Sequence, residues 1–124
     1  MRQLISASIL LLAFTFFTAI NSNAQSKIDN KKLVLNTYLI ERDIPGAGQL
    51  AAADLKGISL KSCSVIKELG PGIEWLHSYV TGNKIFCVYK AENETMLREH
   101  AKKGGFPITA ITEINSTISP KTAE

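Results

Sequence analysis

Histidine and cysteine are scarce in this chain: His77, His100, Cys63 and Cys87 are the only ones in 124 residues. Those four are its whole stock of soft or borderline ligand side chains, so it handles a metal only where the fold brings some of them together. Positive charge is not clustered either. Fourteen Lys and Arg stand against eleven Asp and Glu, and the lysines are scattered along the chain, which argues against a nucleic-acid partner that needs a basic face. Gly46-Ala47-Gly48 and Gly104-Gly105 lack the residues that would make them a phosphate loop or dinucleotide fingerprint. Serine, histidine and acid are present, but no nucleophile elbow is. No internal repeat or low-complexity tract occurs.

The one long apolar stretch lies at the start. Arg2 precedes an apolar run from Ile9 to Phe17, and Ser22-Asn23-Ala24 has the small-x-small pattern of a cleavage site, so residues 1–24 read as an export signal. Thr15, Thr18 and Asn21 interrupt the run, which falls short of the roughly 20 apolar residues a bilayer span needs. No cysteine stands at the cleavage point to carry a lipid. The expected product is a secreted or periplasmic protein with no membrane segment: a polar leader over 25–32, one domain over 33–118 and a polar tail over 119–124. A domain this small has a marginal core and gains from a dimer interface or a bound metal.

In an oxidising compartment a Cys63–Cys87 disulfide is the first possibility to weigh. Cys63 falls in a helical stretch and Cys87 in mid-strand. Layers packed about 10 Å apart hold their backbones beyond the roughly 7 Å that a disulfide spans. Both are therefore expected as free thiols, either packed in the core or ligating a metal.

Leu33 to Glu41 is rich in Leu, Val, Ile, Thr and Tyr and reads as a strand, stopped by the turn residues Pro45-Gly46-Ala47-Gly48. Ala51 to Leu69 changes to helical spacing, with Leu55, Ile58, Ser62, Val65, Ile66 and Leu69 on one stripe and Cys63 at its edge; Gly70-Pro71-Gly72 ends it. Ile73–Val80 and Lys84–Ala91 form a hairpin about Gly82-Asn83. Asn93 caps a second helix running to Lys103, with Gly104 turning the chain out of it. Ile108 to Ile118 alternates as a last strand, with Ile108, Ala110, Thr112, Ile114, Ser116 and Ile118 expected inward. The order strand, helix, strand, strand, helix, strand is the ferredoxin-like βαββαβ arrangement, an α+β fold with both helices on one face of a four-stranded antiparallel sheet. Strict alternation places Trp75, His77 and Tyr79 on one face of the second strand and Leu76 and Val80 on the other. The sheet face away from the helices is then apolar, and two copies packed face to face would bury it.

Four blocks carry a family resemblance: Tyr38-Leu39-Ile40-Glu41-Arg42-Asp43-Ile44-Pro45-Gly46-Ala47-Gly48, Glu74-Trp75-Leu76-His77-Ser78-Tyr79-Val80-Thr81, Lys84-Ile85-Phe86-Cys87-Val88-Tyr89, and Arg98-Glu99-His100-Ala101 with Gly104-Gly105-Phe106-Pro107. In order and spacing they resemble a family of small nickel-binding proteins, formerly a domain of unknown function. The resemblance runs from about Leu39 to Glu124 and implies a dimeric ferredoxin-like α/β barrel that binds nickel. Members of that family are typically short cytoplasmic proteins, whereas this chain starts with an export signal.

Nickel(II) takes imidazole nitrogen, thiolate and carboxylate, and other divalent transition metals share those preferences. The candidate ligands are His77, His100, Cys87, Glu41 and Cys63. A two-residue turn at Gly82-Asn83 pairs His77 with Val88 and turns Cys87 to the opposite side, beside Ser78; a three-residue turn would set His77 across from Cys87. Turn chemistry favours the first. His100 shares a helical stripe with Leu97 and Ala101, where a hydrogen-bonded core histidine is the plainer reading. Glu41, at the end of the first strand, reaches a cleft mouth or forms an ordinary surface ion pair.

The leading expectation is a homodimer that binds nickel without catalysing a reaction. The alternative is a monooxygenase-like enzyme or a haem- or small-molecule-binding protein with His77, Trp75 and Tyr79 lining its cleft. A module whose cleft holds nothing is the third possibility.

Overall fold

The computed structural model describes residues 32–124. The export signal expected over 1–24, and all of the expected leader except Lys32, lie outside the described residues. Six main elements follow in order: β1 (Asn36–Asp43), α1 (Ala52–Leu69), β2 (Ile73–Val80), β3 (Lys84–Ala91), α2 (Glu94–Gly104) and β4 (Ala110–Ile114). The strands form one antiparallel sheet in the order β2-β3-β1-β4, which is the expected ferredoxin-like α+β topology.

Period-two alternation on the two central strands sets the core. Tyr38, Ile40 and Arg42 of β1, with Ile85, Cys87, Tyr89 and Ala91 of β3, are buried toward the helices. Their neighbours Leu39, Glu41, Phe86 and Val88 point to the other face and stay half-buried, because no element among the described residues covers that side. α1 docks through Ser62 and Val65, and α2 through Leu97, His100 and Ala101. The cap on α2 is the expected one: Asn93 Oδ1 accepts from the Met96 amide at 3.0 Å. The helix runs one residue past Lys103, and the left-handed turn out of it is made by Gly105 at φ 70°. Gly104 is needed for another reason, since a Cβ there would lie 2.2 Å from the Phe106 ring.

The β1–α1 loop is stitched to the tip of the hairpin. Ile44 N donates to Asn83 O at 2.9 Å, Gly46 N to Asn83 Oδ1 at 3.0 Å and Gly48 N to Gly82 O at 3.1 Å. Gly46 takes φ 74°, and a Cβ on Gly48 would stand 3.1 Å from Gly82 Cα, so both glycines serve this contact. α1 starts without a side-chain cap on Ala51, whose amide is instead bonded by Asp54 Oδ2 at 3.2 Å.

Two expectations are corrected. First, β2 carries a bulge at Leu76: Trp75 pairs with Tyr89, and the next pair is His77 with Val88. One extra residue reverses the alternation. Trp75 therefore faces the helices together with Ser78, to which its Nε1 donates at 2.9 Å, while His77 and Tyr79 face the uncovered side. Of the three residues expected to line one cleft together, Trp75 and His77 line the same cavity and Tyr79 does not. Second, β4 is short and its inward residue is Ile111, paired with Ile40; Ala110, Thr112 and Ile114 lie on the uncovered face. Ile108 still packs on the core, but from the loop before pairing starts. Both faces of this sheet are apolar, so the isoleucine pattern alone left the inward register open. No helix among the described residues is long and apolar enough to cross a membrane.

Candidate functional site

The sheet offers chemistry on both sides. On the helix side, a buried polar cluster interrupts the core. Ser62 Oγ, at the centre of the inward stripe of α1, lies 3.1 Å from Tyr89 Oη and 3.1 Å from His100 Nε2. His100 is fully buried, stacked on Phe106 at 5.4 Å between ring centroids, and its Nδ1 has no partner. A buried acceptor without a partner costs less than an orphaned N–H, so the proton belongs on Nε2, donated to Ser62. Burial first, and the charge of Arg42 second, push His100 from 6.5 down to about 4, against the hydrogen bonding with Ser62. Tyr89 is raised by the same burial.

Arg42 completes this cluster. It is 3 % exposed, its Nη1 donates to Pro107 O at 2.7 Å, and its guanidinium lies 5.4 Å from the Phe106 ring centroid. Nη2 has no hydrogen-bond partner, and no carboxylate pairs with Arg42 among the described residues. Arg42 also forms part of the wall of a cavity of about 930 Å³ between α1 and the sheet, with Leu55, Ile58, Trp75, Tyr89 and Phe106.

On the uncovered side, His77 is exposed on the edge strand, with its ring edge-on to Tyr79 at 5.0 Å. Glu41 shares this face but is bonded by Lys84 Nζ, which also reaches Asp43 Oδ1 at 3.2 Å. Both carboxylates raise the Lys84 ammonium above its ordinary value. β3 separates His77 on β2 from Glu41 on β1, so the two backbones stand roughly 10 Å apart at ordinary strand spacing.

The remaining candidates are dispersed. Cys87 lies on the helix side, paired with Ser78, and His77 is paired with Val88, which is the register the two-residue turn implied. Cys63 is exposed on the outer surface of α1, and both thiols are free. The described residues bring together no group of three or more His, Cys, Asp or Glu able to hold a metal ion. His77, His100, Cys87, Glu41 and Cys63 therefore do not share one centre within a single chain.

A family model described as nickel responsive protein SCO4226-like matches residues 38–114. The chain belongs to this family. The crystal structure of SCO4226 from Streptomyces coelicolor A3(2) is similar at a TM-score of 0.55 and 14% sequence identity, covering 66% of this chain and 99% of that one. At that identity the likeness speaks for the fold, and it agrees with the strand order above. No curated protein matches the chain.

His77 is open to solvent, whereas His100 is held in its bond to Ser62. Two residues of this region carried signals that the sequence reading did not use. Arg42 is a charge at an inward position of β1, after Tyr38 and Ile40; Ser62 is a hydroxyl at the centre of an apolar stripe. Polar groups so placed are costly unless partnered, which marks them as parts of a buried network.

Proposed function

We propose that this chain is an exported nickel-binding protein that holds its metal without catalysing a reaction, on the uncovered sheet face of a homodimer, with His77 as the imidazole ligand. Its membership of a nickel responsive family carries the reading. His77 supports it as an exposed imidazole on a face whose residues Leu39, Phe86, Val88 and Ile114 are only half-buried. Among the described residues no group of three or more His, Cys, Asp or Glu gathers there, so the fit within one chain is partial. A second copy across this face completes the set, with Glu41 free to contribute once Lys84 swings away. Other divalent transition metals fit the same donors.

Nickel titration of untagged protein, read by equilibrium dialysis and metal analysis, tests the reading. His77→Ala should weaken nickel at least tenfold, and binding should weaken in acid because imidazole ligates only when neutral. Size-exclusion chromatography with light scattering should show a dimer. Unchanged affinity in His77→Ala, or a monomer at every concentration, would refute the proposal.

A further inference from the structure

We infer that the cavity between α1 and the sheet is a binding site for a small amphipathic organic acid, whose carboxylate pairs with Arg42 and whose apolar body lies against Trp75 and the side chains of α1. The inference goes beyond the nickel reading: His77 is among the residues that line this cavity, but the anion is held by Arg42, and a chelator in the assay keeps the two tests apart.

A guanidinium removed from water is costly unless a counter-charge meets it. Among the described residues Arg42 has none: one terminal nitrogen bonds a backbone carbonyl, the other bonds nothing, and the residue is only 3 % exposed. No acid among the described residues answers it from inside. The one acidic residue on the cavity wall, Asp43, is bonded to Lys84, and Lys61 adds a second positive charge to the lining. What the protein leaves unsatisfied at Arg42 is Nη2, a charged N–H donor that one oxygen of a carboxylate fits.

The rest of the wall defines the body of the ligand. Leu55 and Ile58 of α1 face Trp75, Ile85 and Phe106 across the space, and Ile58 is 37% exposed at a position where a chain can enter. At about 930 Å³ the cavity falls in the range of small-molecule sites, about 300–1,000 Å³. The hydroxyls of Ser62 and Tyr89, beside Arg42 in the same wall, can bond the second carboxylate oxygen. Apolar walls with a few converging polar groups at one end select an amphipathic anion over a neutral apolar molecule.

Trp75 is the only tryptophan and lines the cavity, so its fluorescence reports occupancy. Octanoate and 1-octanol, which share a chain and differ in charge, are titrated into full-length protein in the presence of a chelator. Octanoate should change Trp75 emission saturably and bind at least tenfold more tightly than 1-octanol. Arg42→Met, which keeps the length and apolar stem, should bring the two ligands within about threefold of each other. Should that variant not fold, the comparison of the two ligands on the unaltered protein decides by itself. Equal affinity for acid and alcohol, no saturable change with either, or a preference for octanoate that survives in folded Arg42→Met would overturn the inference.

Discussion

Between pH 7 and pH 4 the fold should lose on the order of 3 kcal/mol of stability through His100 alone, the free-energy equivalent of its displacement from 6.5 to about 4. The sign follows from proton counting. In the unfolded chain this imidazole takes up its proton near 6.5, while in the fold burial and the Arg42 charge keep it neutral down to about 4. Between those values the unfolded state binds more protons, so stability rises with pH across the window. The contribution is complete above 6.5, is lost as the pH falls toward 4, and changes no further below that. Urea denaturation of the protein and of His100→Gln at pH 7 and pH 4 isolates it. Glutamine keeps a donor for Ser62 and cannot titrate, and the carboxylates common to both proteins cancel in the difference. The pH-dependent loss should be smaller in the variant by most of that amount. Parallel losses in the two proteins would mean that His100 is not desolvated in the fold.

Leu97→Ala should be the most damaging single truncation on α2. Leu97 is fully buried and belongs to the same apolar cluster as Ile40, Tyr89 and Ala91. Removing its side chain should cost about 3 kcal/mol, in the usual range for leucine-to-alanine changes in a core. For a domain of this size that corresponds to a fall in Tm of roughly 12–24 °C. The consequence reaches the polar cluster, because Leu97 and His100 lie on one face of the helix and dock it together. Leu97→Ile, which conserves volume, should cost under about 1.5 kcal/mol. Thermal unfolding followed by circular dichroism measures both. A loss under about 1 kcal/mol in the alanine variant would show that α2 is not packed on the sheet as described.

Most of this architecture was legible in the sequence, and the exceptions have physical causes. The boundaries of β2 and β3 follow from their turn residues, and the register of the hairpin follows from Gly82-Asn83. The α2 cap is written in Asn93. The bulge at Leu76 carries no glycine or proline to announce it, so strict alternation placed Trp75 with His77 when the two face opposite ways. That single residue turns the Trp75 side chain toward the helices and the His77 imidazole toward the uncovered face. The inward register of β4 was ambiguous for a related reason: in Ala110–Ile114, isoleucine occurs on both faces of the strand. The candidate ligands were chosen by residue type, and whether they share a site depends on long-range pairing. Cys87 and His77 are on adjacent strands and on opposite faces, a distinction that rests on one residue of turn length.

The two histidines stand in opposite surroundings, one exposed on the uncovered sheet face and one sealed behind Ser62, and this gives the account its most direct test. Their imidazole proton resonances are followed by NMR as nickel(II), a paramagnetic ion, is added in substoichiometric steps to untagged protein. The ring signals of His77 should broaden first, with those of Tyr79 and the half-buried residues of the same face, while those of His100 keep their position and width. Early broadening of His100 with His77 unaffected, or uniform weak broadening of both, would contradict a metal site on the uncovered face.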